Sequence, residues 1–198
     1  MNKIKWCAGK KEGLSLIEPN SNLAEAYIKK AEEALESIRV NVIKDWKIST
    51  AYYTLYFSLY SVLTKMGIKC EIHSCTIAFA KRFLGEFFSE EDLDFTEDSL
   101  KARIDSQYYI DRIVPDEQYN KMVKNAPGFL VKCKSILLKL NEKKINEIRT
   151  EFKKAVKWGT NMTANIDEEK IIIEKSENEE ETVALSEKEI LKLFHNFS

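Results

Sequence analysis

Proline and glycine are scarce in this chain, with three and six copies among 198 residues. That scarcity excludes collagen-like, linker-rich and glycine-rich disordered material, and it leaves long stretches free to form helix. No window approaches eighteen uncharged apolar residues, so no transmembrane span is predicted. The opening Met1–Cys7 lacks the apolar run of a signal peptide. Neither a P-loop nor a glycine-rich dinucleotide turn is present: Gly9-Lys10-Lys11-Glu12-Gly13 holds the residue types without the spacing. A serine-centred nucleophile elbow is also missing. The familiar ATPases, dehydrogenases and esterases are thereby set aside. Four cysteines, Cys7, Cys70, Cys75 and Cys133, are scattered. Cys70 and Cys75 flank His73 at a gap unlike that of a structural zinc pair. The expectation is a cytoplasmic protein with free thiols, no metal and no cofactor.

What is there is the composition of an ordinary folded chain, 44% hydrophobic and 32% charged, sized for one domain with or without an appendage. The formal net charge of −1 conceals an asymmetry. Residues 121–157 carry eleven basic side chains against three acidic ones, a net of +8. Residues 167–192 carry ten acidic against four basic, a net of −6. Either the acidic tail folds back on the basic helix, or the basic stretch faces an anionic partner.

The pattern predicts an all-α, antiparallel up-and-down bundle of four to five helices over residues 21–158. A short arm, 1–20, precedes it, and an acidic appendage, 159–198, for which a small α/β unit is one reading, follows. Leu23, Ala26, Tyr27, Ala31, Ala34, Leu35 and Ile38 recur at helical spacing and place the first helix from about Leu23 to Val40. Trp46 to about Lys65 is apolar and aromatic on a broad face, which suits a central helix, and Gly67 ends it through a left-handed cap or a sharp turn. Ile72–Phe88 forms the third helix. The acidic stretch Ser89–Asp98 reads as a solvated loop, and Ser99–Ile113 as the fourth helix, closed by Pro115. A fifth runs from near Tyr119 to about Trp158, as one helix or as two, with Pro127–Gly128 and Asn141 as candidate breaks. In the appendage, Ile171–Ile173 is β-prone, and Ser186 with Glu189 has the capping-box spacing.

Lys47-Ile-Ser-Thr-Ala-Tyr52-Tyr53-Thr-Leu-Tyr56-Phe57, then Lys65-Met-Gly67-Ile68-Lys69 and His73-Ser74, resembles the small single-domain prokaryotic branch of the HEPN domain family. Ala24–Arg39 resembles that branch's opening helix, and Arg103–Tyr108 its arginine–tyrosine segment, with Gln107 where an aspartate is common. The resemblance covers roughly residues 21–140. It implies a helical bundle, commonly homodimeric, in a family that includes RNA-cleaving toxins and nucleotide-binding partners of small nucleotidyltransferases. The cleaving members place a histidine four to six residues after an arginine at the dimer seam. Here only His73 and His195 exist, neither at that spacing, and Arg103-Ile-Asp-Ser-Gln-Tyr108 puts tyrosine in the histidine place. Binding of nucleotide, RNA or a nucleotidyltransferase-type partner is therefore the expectation. The alternatives are a metal-independent ribonuclease using Arg103 and a purely structural interaction subunit. The wide apolar face of the second helix adds a reason for a homodimer.

The candidate site residues are Arg103, Tyr108 and His73 for weak catalysis, and Tyr52, Tyr53, Tyr56, Lys69, His73, Arg103 and Tyr108 for binding. Arginine holds a phosphate through two parallel hydrogen bonds and stays charged. Histidine exchanges a proton near neutrality, whereas tyrosine is a poor base. Each candidate has a bland reading beside it. Arg103 either binds an anion or pairs with Asp105, Asp111 or a carboxylate across the dimer, with Tyr108 in the core. The tyrosine stripe either paves a nucleotide pocket by stacking or simply packs the bundle centre. His73 either joins Arg103 or Lys69 at a phosphate pocket or bonds backbone groups and caps a neighbouring helix. The basic segment, with Arg149 its sole arginine, is a solvated surface, a dock for the tail or a nucleic-acid face.

Overall fold

A computed structural model describes residues 2–157. Their elements are α1 (Lys3–Ala8), β1 (Ser15–Leu16), α2 (Ser21–Val40), α3 (Lys44–Lys65), β2 (Ile68–Lys69), α4 (His73–Phe83), α5 (Glu90–Tyr108), α6 (Asp116–Lys139) and α7 (Glu142–Lys157). Asn20 starts α2 by accepting the Leu23 amide at 2.9 Å, and Ala24, Ala31 and Ile38 are buried at seven-residue intervals. In α3, fourteen of 22 residues are buried, so it is enclosed from several sides rather than along one stripe. Its buried hydroxyls, Ser49, Thr54, Ser58, Ser61 and Thr64, each donate to a carbonyl three or four residues back, which removes the cost of unpaired polar groups in the core.

Lysines mark the direction of the helices. Lys44 reaches the Val114 carbonyl and Asp116 at one end of α3, and Lys65 reaches the Leu137 carbonyl at the other, so α6 runs parallel to α3. Arg103 meets Tyr53 and Gln107 meets Ser49, so α5 runs antiparallel to it, as does α2 across the tight 41–43 turn. The four long helices thus alternate up and down around a central α3. No described helix is long and apolar enough to cross a membrane.

Gly67 has φ +70°, the left-handed turn expected after α3. A Cβ there would lie 2.2 Å from Arg149 Nη1 and 2.4 Å from the Ile17 carbonyl oxygen. The arm is not irregular throughout: it forms α1 and then β1, whose Ser15 and Leu16 pair antiparallel with Lys69 and Ile68. Free thiols were expected throughout, but Cys7 and Cys75 are joined by a disulfide. The reason is packing: α1 lies against the first turn of α4, and both cysteines are fully buried there. Cys70 and Cys133 remain free and buried, and burial raises both thiol pKa values.

Three boundaries differ from the sequence reading. Ser89–Asp98 is not a loop, because Ser89 and Asp92 form a capping box that opens α5. Leu93, Thr96 and Ser99 bury one face, while Glu90 and Glu91 sit at the positive helix terminus. At its other end α5 stops at Tyr108 instead of Ile113, where Tyr109 turns extended and Arg112 folds back onto Asp105 at 2.8 Å. The third helix ends at Phe83, five residues early, and the chain turns through Leu84. Pro127 lies inside α6 without breaking it, and the break falls at Leu140–Asn141, where Asn141 accepts the Lys144 amide and caps α7. The predictions for Trp158 and for the 159–198 appendage, its β-prone run and capped helix included, lie outside the described residues.

Candidate functional site

Positions 49, 53 and 56 follow one another at helical spacing on α3, and α5 presents Arg103 and Gln107 one turn apart across from them. His73 arrives from the opposite direction. After Gly67 the chain runs back along α3, donating the Cys70 amide to the Tyr60 hydroxyl at 3.2 Å, and enters α4 at His73. The imidazole lies 3.9 Å, centroid to centroid, from the Tyr56 ring at an interplanar angle of 13°. Its Nδ1 is 2.7 Å from the Tyr52 hydroxyl. His73 therefore bonds a phenol and stacks on another, rather than capping a helix or bonding backbone.

Burial, and secondarily the nearby Arg103 charge, lowers the His73 pKa from 6.5 to about 4. Burial raises the Tyr52 pKa well above its ordinary value. With a neutral ring and a protonated phenol, the hydrogen bond is assigned as Tyr52 donating to Nδ1, which leaves the ring proton on Nε2. Such an imidazole is a hydrogen-bond donor at neutral pH, and a weak base. Tyr60, at the far end of the stacked row, is raised to about 12 by burial, and its ring is 5.7 Å from Tyr56.

Arg103 departs from its expected ion pair. One Nη donates to the Tyr53 hydroxyl at 2.9 Å, and the guanidinium lies 5.5 Å from the Tyr53 ring and 5.3 Å from the Tyr108 ring. Asp105, one of the expected partners, is taken by Arg112. Arg103 makes no ion pair among the described residues, and its buried Nε has no hydrogen-bond partner there. Tyr108 is half exposed, not packed in the core. Lys69 is the candidate that the fold separates from the rest: it lies on β2 and pairs with Glu71 at 2.8 Å.

The structure thus gathers Tyr52, Tyr53, Tyr56, His73, Arg103 and Tyr108 and leaves out Lys69. Sequence reasoning missed Ser49, which accepts a 2.7 Å hydrogen bond from Gln107 and fixes α5 against α3. Its position four residues before Tyr53 was the available signal. Basic residues of the 121–157 segment are partly spoken for inside the bundle. Lys132 pairs with Asp92, Lys134 with Glu32 and Lys144 with Glu86, while Arg149 binds three backbone carbonyls. The family to which this arrangement belongs is not given by comparison: no protein-family model and no curated protein matches the chain.

Proposed function

We propose that this chain is a cytoplasmic, HEPN-like binding protein that recognises the phosphate of a nucleotide or RNA at Arg103. The observation that carries the reading is the state of Arg103: flanked by two tyrosine rings, bonded to a phenol and without a carboxylate partner among the described residues. A half-buried guanidinium whose Nε is shielded from water favours an incoming anion. Tyr108, half exposed above it, offers a ring face on which a base stacks. The Cys7–Cys75 bond weighs against the cytoplasmic part of this reading, because disulfides are rare in a reducing compartment and burial of the sulfurs only slows exchange with soluble thiols.

The ribonuclease reading has less support. His73 would need to exchange protons near neutrality, and burial holds its pKa at about 4 with Nδ1 engaged by Tyr52. The test is calorimetric titration of the full chain with ATP and with a short single-stranded RNA at low salt. Binding to at least one is expected, weakened at least about tenfold in Arg103→Ala, the loss of one charge-assisted contact. Affinity that is unchanged in Arg103→Ala removes this site. Metal-independent cleavage of the RNA, abolished in Arg103→Ala, would install the ribonuclease instead, and co-purification with a nucleotidyltransferase would select the partner role.

A further inference from the structure

One disulfide is present among the described residues, and it ties Cys7 of α1 to Cys75 of α4 across 68 positions. Without it α1 has a slight hold on the body. Of its six residues only Ile4 and Cys7 are buried, with Trp6 partly so, and a helix of that length does not persist by itself. The other end of the bond lies in the first turn of α4, where Ile72 supplies no side-chain cap. That turn is fixed instead by what its side chains meet. Cys75 meets Cys7, and His73, two residues earlier, meets the Tyr52 hydroxyl and stacks on Tyr56. Two residues stand about 200° apart around a helix, so the two anchors grip the turn from opposite sides.

Both cysteines are fully buried, and the cover over Cys7 is local. Gly13 donates to the Lys10 carbonyl and Leu14 to the Cys7 carbonyl, each at 3.0 Å, which folds the 10–14 turn over the helix end. A Cβ at Gly13 would fall 1.7 Å from the Cys7 carbonyl oxygen, so the turn seats only with glycine there. Lifting it does not require the long helices to part.

We propose that the Cys7–Cys75 bond is a redox latch, which a soluble dithiol opens so that α1 leaves α4 and the turn carrying His73 loosens. One thiolate of the dithiol attacks a sulfur of the bond, and the other cysteine leaves as a thiol. The second reductant thiol then resolves the mixed disulfide. The chain is left with two thiols, and the reductant carries the disulfide away. A small-molecule disulfide reverses the exchange. Cys70 does not compete, because its buried thiol donates to the Ile72 carbonyl and burial raises its pKa, which keeps the thiolate scarce. The latch stands whether or not Arg103 receives an anion, since it reaches that site only through His73.

The full chain, oxidised and after dithiothreitol, is compared by hydrogen exchange, circular dichroism and imidazole titration by NMR. Reduction is confirmed by the alkylation of two further thiols after denaturation. The amides of Trp6 and Gly9 in α1, and of Cys75 and Thr76 in α4, are expected to exchange at least about tenfold faster once reduced. Helical dichroism stays at the oxidised value, and the His73 titration moves up toward the ordinary imidazole range. Cys7→Ser with Cys75→Ser is expected to show the reduced behaviour without reductant and no further response to it. Gly13→Ala, which lifts the cover, is expected to speed reduction roughly tenfold. Reduction that leaves the four amides and His73 unchanged overturns the latch. So does a bond that resists dithiothreitol equally in wild type and Gly13→Ala. A reduced chain that loses its helical signal altogether also overturns it, and makes the bond a staple of the whole fold.

Discussion

The two ends of α3 are finished in opposite ways. At its C-terminal end, Arg149 donates through one nitrogen to the carbonyls of Ile17, Met66 and Gly67 at 2.8, 2.8 and 3.0 Å. The strand pair and the Ile17–Gly67 backbone bond close the same end. Carbonyls left over at a helix C-terminus are an acceptor cluster with negative potential, and the guanidinium answers it. Toward the N-terminal end, Ile43 offers no side-chain cap, apolar residues stand in solvent, and Arg103 donates to one phenol while its Nε has no partner among the described residues. The same residue type has its donors taken up by carbonyls at one end and keeps an unpaired donor at the other. What separates them is whether the surrounding backbone consumes the donors.

The contrast makes Arg149 the costlier residue to lose. Arg149→Ala strips three carbonyls of a charged partner, and hydrogen bonds to charged groups are each worth roughly 1.5–3 kcal/mol without adding fully. A loss of about 3 kcal/mol is expected from urea unfolding. Arg149→Lys should recover only part of it, because an ammonium on a flexible stem replaces a planar fork. An Arg149→Ala midpoint within experimental scatter of wild type would collapse the distinction between the two ends.

A second probe is pH, and it acts on the Tyr52–His73 pair. The folded state holds the imidazole pKa at about 4 against an ordinary 6.5, so between those values the unfolded chain binds a proton that the folded chain refuses. The stability is complete above about pH 6.5 and falls as pH drops toward 4. At face value the shift is worth roughly 3 kcal/mol, and the ring's partial exposure reduces the expected loss to about 2 kcal/mol. The groups that face the ring are Tyr52, Tyr53, Tyr56 and Arg103. Urea titrations at pH 6.5 and 4.5 check it, with His73→Phe as the control in which this part of the slope flattens. A wild-type slope no steeper than that of His73→Phe would mean that the imidazole protonates freely in the folded chain.

Much of this was legible before the structure, for reasons visible in particular residues. The α2 stripe and the turn at Gly67 were readable because a helical period and a left-handed glycine are local signals. The start of α5 was not: its charge density suggested solvent, and the Ser89–Asp92 box that opens the helix uses aspartate where glutamate or glutamine is the usual signal. The sequence reading placed His73 beside Arg103 or Lys69 only as an alternative and did not pair it with Tyr52 and Tyr56, a contact that depends on the return of the 68–72 segment along α3. The Cys7–Cys75 bond spans 68 positions and has no local signature at all. Nor did the sequence reveal that Asp105 pairs with Arg112 rather than with Arg103.

The smallest effect is expected where the proposed chemistry is. Replacing Arg103 with Met keeps the stem that packs between Tyr53 and Tyr108 and removes a charge that no carboxylate among the described residues balances. The lost bond to the Tyr53 hydroxyl opposes this gain, and the two contributions are of similar size. Arg103→Met should therefore stay within about 1 kcal/mol of wild type in urea while losing the ATP or RNA affinity. Measured beside Arg149→Ala, it separates a structural arginine from a recognising one. A loss matching that of Arg149→Ala would place Arg103 in the scaffold, because a side chain whose donors await a ligand has little stability to surrender when they are removed.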